Sequence, residues 1–520
     1  MLKPSLYVGF EIDKNLKHAT GYFISERREN VESWISSPEK RSPKNSPTKQ
    51  SSSPEGDELS RDKANPFDKI SERFVETMDQ FDRLIPTTLR ILPLAEMLEM
   101  NKKFYNPIAK GGSNLAGQKG FEMYQVPLDQ FRAVDRAMNE IHALRRGRSS
   151  LPGMFLMGLV SSYDAFLAQL MHLVFLTQPE LISSSEKNIS FKDLVELGSI
   201  EAARNYIVEK EVETFLRQSH HAHFDHLEAK LKIPLRKDLS VWPTFVEICE
   251  RRNLFTHTSG VVSSQYLRVC DEHKVDVGQT KVGDQLEISR DYLSDATETI
   301  SELGLKLVQV VWRKLKPEEI SLAASALNHQ CFQLLTHEKY KLAQVLLEFG
   351  LSLKKHGDEL TRKMMVVNLS IAAKHGSDNE KAMKILDEED WSAASDKFRI
   401  CVAAIKEDIE TVVRYFPMVA HAGEIPKEGF RYWPAFRSVK ERPEFIEAFE
   451  KAFGEAFVVD RSSSEDLSPE DKVTGENHSK IGKMRKIESE GALARSRKAS
   501  KQISKKRMGR TSSEDSKKAD

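Results

Sequence analysis

The chain predicts a mostly α-helical protein of two or three domains, on three observations. Apolar residues recur at three- and four-residue spacing over long stretches, the period of a helix with one buried face. Helix boundaries are marked: Pro243 behind Trp242 signals a start and Gly260 a stop, since proline costs nothing in a first turn and glycine suits the residue past the last one. The 520 residues are 39% hydrophobic and 30% charged, enough for a large core beneath solvated, charge-rich helix faces.

Residues 1–65 form an N-terminal segment. LYVGFEI has mild strand character, and the Ser, Pro and Lys tract from Ser36 to Glu58 cannot bury enough apolar surface to offset its chain entropy, so it reads as a disordered linker. Phe67 to Lys103 is helical by spacing, with Ile70, Phe74, Met78 and Phe81 on one stripe and Pro86 and Pro93 limiting the turns that follow. GGSNLAG, Gly111 to Gly117, lacks the Lys-Ser/Thr ending and the preceding strand of a phosphate cradle, and reads as a surface loop.

Residues 222 to 242 connect helices. Just before and within them, His220, His221, His223 and His226 crowd one segment; without further ligands this is a solvated helix face, with a metal site as the alternative. Val275 to Ile288 alternates apolar and polar residues around glycines, the pattern of a small β-hairpin inserted in the helical domain. Beyond Pro317 the helical period returns in hairpins. Leu335, Tyr340, Ala343 and Phe349, then Asn368, Ala372, Ala382 and Leu386, stand at similar registers, and a third pair runs from Trp391 to Phe416 and ends at Pro417. Trp433 and Phe436 precede a closing helix that begins near Pro443. Residues 457–520 are polar and Ser-rich, and Lys480 to Arg510 holds about a dozen Lys and Arg against Glu488 and Glu490, a disordered basic tail inside a chain of zero formal charge.

No secretory signal and no membrane span are expected: the N-terminus lacks a basic region before an apolar run, and the longest apolar stretch, Met154 to Val160, is soon broken by Asp164. Cys249, Cys270, Cys331 and Cys401 contain no CxxC pair, so they read as core residues of a cytoplasmic protein rather than as disulfides or zinc ligands. No cofactor and no metal are indicated.

The densest chemistry lies in RRNLFTHTSG, Arg251 to Gly260. Phe245, Ile248 and Cys249 mark the apolar face of this helix, and Arg252 is the next position on it. A guanidinium on a buried stripe needs a partner or a cleft, because burying an unpaired charge is costly. Asn253 lies four residues before His257, so its amide could set the tautomer of the ring. A charged fork, an amide and a group that titrates near neutrality suit phosphodiester chemistry. The alternative is that Arg252 pairs with a carboxylate and His257 only caps the helix against its dipole.

This stretch resembles the signature of HEPN domains, an Arg-x4-6-His motif with Asn commonly after the Arg. VVSSQYL, Val261 to Leu267, resembles the family's continuation. Phe155 to Phe175, with Asp164 amid apolar residues, is similar to its first core helix, Phe191 to Ser219 to its middle helices, and Tyr292 to Leu315 to its closing one. The likeness covers roughly residues 150 to 316. It implies a HEPN-like helical bundle over 66–316 and a metal-independent endoribonuclease, with Arg252, His257 and Asn253 catalytic and Asp164 and Thr258 supporting. Thr258 departs from the polar amide that many active members carry after the histidine. The resemblance further implies an RNA substrate and a homodimer, whose seam is expected along Phe245 to His257, and a toxin-like or phage-defence role. The hairpins of 317–456 resemble tetratricopeptide repeats, which present grooves to a peptide or a regulatory or inhibitor protein; a bundle that merely buttresses the first domain is the alternative. The competing function is a non-catalytic adaptor that dimerises and binds RNA or protein.

Overall fold

The structure, a computed structural model, describes residues 7–13, 18–25, 65–100, 102–103, 113–115, 123–125, 131–182, 189–237 and 239–458. The Ser36–Glu58 tract and the basic tail from Lys480 to Arg510 lie outside them. The described chain is mostly α-helical. Its strands are two short antiparallel ribbons, β1 (Tyr7–Asp13) with β2 (His18–Ser25) and β3 (Ser113–Leu115) with β4 (Met123–Gln125). The second ribbon takes three residues of the expected Gly111–Gly117 loop.

Helix α1 (Pro66–Met100) runs straight through Pro86 and Pro93, which were expected to limit it. Each proline removes one backbone hydrogen bond. Beyond Ile85 the helix has no fully buried residue, so water can reach the carbonyls that lose their donors. Helix α2 (Phe131–Thr177) is the axis of the first bundle. Leu156, Leu159, Tyr163, Leu167 and Leu170 are fully buried on its inner stripe. By length and composition alone, Asn139–Thr177 is long and apolar enough to cross a membrane, a test that a buried core helix also passes; half of its most apolar stretch is buried within the fold.

Short helix α3 (Phe191–Leu197) leads to α4 (Ile200–Leu216), and α5 (His220–Leu231) follows, capped in sequence by Ser219. The stretch read as a connection from 222 to 242 is therefore helical for its first half. Helix α6 (Trp242–Thr258) crosses α2. It ends where Ser259 and Gly260 both adopt positive φ, 53° and 88°, and Gly260 N–H returns to Leu254 O at 3.1 Å. A side chain at residue 260 would also meet the Phe255 ring at 2.8 Å, so this stop requires glycine.

Helix α7 (Ser264–Glu272) precedes the segment expected as a β-hairpin. Val275 to Ile288 instead forms turns, and its backbone pairs with the end of α6: Val262 N–H donates to Asp284 O, Gly283 N–H to Val262 O and Leu286 N–H to Gly260 O, with a lone bridge between Val261 and Gln285. Val275, Val277 and Leu286 pack on the core around Leu254, Tyr266 and Cys270, which accounts for the alternation without a paired strand. Helix α8 (Arg290–Leu315) completes the bundle; Gly304 lets it approach α1, since a Cβ there would fall 2.3 Å from Phe74.

Three helix pairs follow: α9 (Ile320–Thr336) with α10 (Tyr340–Ser352), α11 (Glu359–His375) with α12 (Asn379–Asp387), and α13 (Asp396–Ile405) with α14 (Ile409–His421). Helix α14 passes through Pro417, where an end was expected. The short α15 (Lys427–Tyr432) leads to α16 (Pro443–Phe453), whose Phe445 and Phe449 lie against Phe416 of α14. The described residues from Asn65 to Glu455 fall in one compact unit, and side chains meet across position 316. Phe67 of α1 stacks on Trp312 of α8 at 5.5 Å, Gln330 of α9 bonds Ser71 of α1 at 2.5 Å within the core, and Lys339 pairs with Asp82 at 2.6 Å. All four cysteines are buried and free.

Candidate functional site

The site is built where α2, α5 and α6 meet. Phe245 of α6 is fully buried and packs edge-on against Tyr163 of α2 at 5.0 Å and against His220 of α5 at 6.1 Å. Tyr163 ends the buried side of α2 at this level, so the next residue, Asp164, comes out at the rim with a third of its side chain exposed. On α6 the stripe Phe245, Ile248, Cys249 continues into Arg252, whose side chain is 21% exposed.

Three charged side chains converge at that rim. His220 Nε2 lies 2.8 Å from Asp164 Oδ1, and Arg252 Nη2 lies 3.6 Å from Asp164 Oδ2 and 3.4 Å from His220 Nε2. Arg252 Nε is buried without a hydrogen-bond partner. Burial pushes the His220 imidazole toward its neutral form, but the Cys249 sulfur and the Asp164 carboxylate outweigh it and raise its pKa above the ordinary histidine value. The Glu250 carboxyl beneath is pushed up by its own burial, against the pull of His221 and His220.

The other predicted residues do not join this cluster. Asn253 donates to Glu250 Oε1 at 3.2 Å rather than to His257. His257 stands exposed on the last turn and makes no hydrogen bond or ion pair among the described residues. Five residues from Arg252, it sits about 140° around the helix. The Thr258 hydroxyl is 3.0 Å from Leu254 O and 2.8 Å from Val261 O, so it serves the helix end and not the site.

The expected seam along Phe245 to His257 is corrected by burial. Phe245 and Ile248 have no exposed surface, Phe245 lying against Tyr163 of α2 and His220 of α5; Thr244 and the turn from Thr256 to Ser259 are exposed on this helix, and Arg252 is partly so. The histidine segment is not a solvated face either. His223 is 1% exposed and stacks on Phe215 at 4.5 Å, with neither ring nitrogen hydrogen-bonded, and burial, reinforced by the charge of His220, lowers its pKa to about 4. Among the described residues no group of three or more His, Cys, Asp or Glu is placed to hold a metal ion.

His220 is the residue that sequence reasoning missed as a working group. Its signal was present but diluted: one of four histidines in seven residues, with nothing local to say which turns toward Arg252. Two grooves lie elsewhere. One, of about 650 Å³, is flanked by Lys69, Arg73 and His172, and the other, of about 590 Å³, lies between the loop after α5 and helices α8 and α10.

Comparison with known proteins gives no match for this chain, whether to a family model, to a curated protein or to a solved structure.

Proposed function

We propose that the protein is a metal-independent endoribonuclease that works as a homodimer. The observation that carries this reading is the division of labour on α6: Arg252 is half-buried with an unpartnered Nε, while His257 projects from the exposed last turn. One protomer thus offers an anion site and a separate proton-transfer group. A second copy set against the Thr256–Ser259 turn would complete a groove from both, as the resemblance to HEPN domains implies.

RNA supplies its own nucleophile. The 2′-hydroxyl attacks the adjacent phosphorus, the new O–P bond forms as the bond to the 5′-oxygen breaks, and the products are a 2′,3′-cyclic phosphate and a 5′-hydroxyl. His257 would accept the 2′-hydroxyl proton or deliver one to the departing 5′-oxygen. Arg252 would hold the extra negative charge of the phosphorane through parallel N–H bonds. Asn253, tied to Glu250, would steady this turn of α6. The three helix pairs, with their likeness to tetratricopeptide repeats, would hold a regulatory or inhibitor protein, in keeping with a toxin-like or phage-defence effector.

A non-catalytic adaptor is the second reading. Thr258 favours it, because its hydroxyl is spent on the helix end and adds nothing to the site. Incubating the full chain with total RNA in EDTA, beside His257→Ala, separates the two. Fragments ending in cyclic phosphate, lost in the variant, are expected; equal fragmentation by both proteins, or none by either, leaves the adaptor.

A further inference from the structure

Asp164 divides its two oxygens unequally. Oδ1 lies 2.8 Å from His220 Nε2, a full charge-assisted hydrogen bond, whereas Oδ2 has only a 3.6 Å approach from Arg252. A carboxylate can only accept, so the proton between Asp164 and His220 sits on Nε2. The 3.4 Å approach of Arg252 Nη2 to that same nitrogen is then a meeting of two donors and not a bond. The carboxylate's strong interaction is thus given to the imidazole, and the guanidinium keeps a loose contact and an unpartnered Nε. Arginine and a free carboxylate ordinarily close into a two-bond fork. Here no such fork forms.

We infer that His220 is a positioning residue: by holding Asp164 it keeps the Arg252 fork open for a phosphodiester anion. Two cations around one carboxylate leave one positive charge, matched to the single negative charge of an RNA phosphodiester. The inference rests on the endoribonuclease reading for the identity of that anion, but the availability of Arg252 can be read without any RNA.

The test compares the full-length protein with His220→Phe, which keeps a ring against Phe245 and Tyr163, and with the double variant His220→Phe/Asp164→Asn. Arg252 modification by p-hydroxyphenylglyoxal, followed by mass spectrometry, reads the guanidinium directly. In the single variant Asp164 should clamp Arg252 and slow its modification roughly tenfold, the worth of one charge-assisted hydrogen bond. In the double variant the rate should return to that of the wild type, and binding of an uncleavable 2′-O-methyl RNA should fall and recover in the same order. An unchanged rate in the single variant, or no recovery in the double, overturns the inference. Should His220→Phe unfold, Asp164→Asn alone decides: Arg252 must react at least as fast as in the wild type, and a slower rate overturns it. Absence of RNA cleavage by the wild type with the modification pattern intact would remove the nuclease reading and leave the positioning role standing.

Discussion

Two adjacent arginines on α6 have opposite fates. Arg251 donates through Nε to Glu247 at 2.6 Å and through Nη1 to Glu287 O at 2.9 Å, and its guanidinium lies over the Tyr292 ring at 4.2 Å. Glu247 is in turn filled by the hydroxyls of Tyr266 at 2.8 Å and Tyr292 at 2.7 Å. Arg252, about 100° around the same helix, faces a carboxylate already committed to His220 and keeps a buried Nε without a partner. A closed network of this kind fixes α6 to α7 and α8, and both oxygens of its carboxylate are taken. The open one holds its charge ready, which is what a site for a transient anion needs.

The sharpest way to break this contrast is to empty the closed side. Glu247→Ala would strand the Arg251 charge and two tyrosine hydroxyls in a buried place, and should cost about 3–5 kcal/mol of stability in urea unfolding. A loss below about 1 kcal/mol would show that the network is not what secures α6.

The open side should instead betray itself by pH. His223, beneath His220, has a folded-state pKa of about 4, below the value of about 6.5 in an unfolded chain. Protonation therefore favours the unfolded chain: the contribution is fully present above about pH 6.5 and is lost as pH falls toward 4, on the order of 3 kcal/mol. His223→Phe should flatten that part of the stability profile, and a variant with the wild-type slope would assign the effect elsewhere.

Function should follow the open side only. Arg252→Ala and His257→Ala should each reduce RNA cleavage on the order of a hundredfold, and the exposed His257 should change stability by less than about 0.5 kcal/mol. Rates and melting curves on the same samples check this; a large stability loss at His257 would mark it as a cap. The smallest effect belongs to the tail. Deleting residues 460–520 should weaken RNA binding modestly and flatten its salt dependence, with cleavage products unchanged; an unaltered slope assigns all RNA contact to the folded unit.

The periods and punctuation of the sequence determined much of this molecule. The helix from Trp242 to Thr258, its glycine stop, the burial of Phe245, Ile248 and Cys249 and the emergence of Arg252 at the edge of that stripe all follow from local spacing and φ requirements. So does the helical reading from α9 to α14. Where local signals misled, packing overruled them. Two prolines failed to end α1, and the alternation from Val275 to Ile288 reflects apolar residues reaching one core from turns, since their backbone partners lie at 260–262 and not across a hairpin. What the tertiary structure alone decided is which polar groups meet. Asp164, His220 and Arg252 are separated by 56 and 32 residues, and no periodicity within one helix can say that a histidine on another will claim the carboxylate first. That choice is made by the packing of Tyr163, Phe245 and His220, which brings side chains of three helices to one rim and leaves the Arg252 Nε without a hydrogen bond.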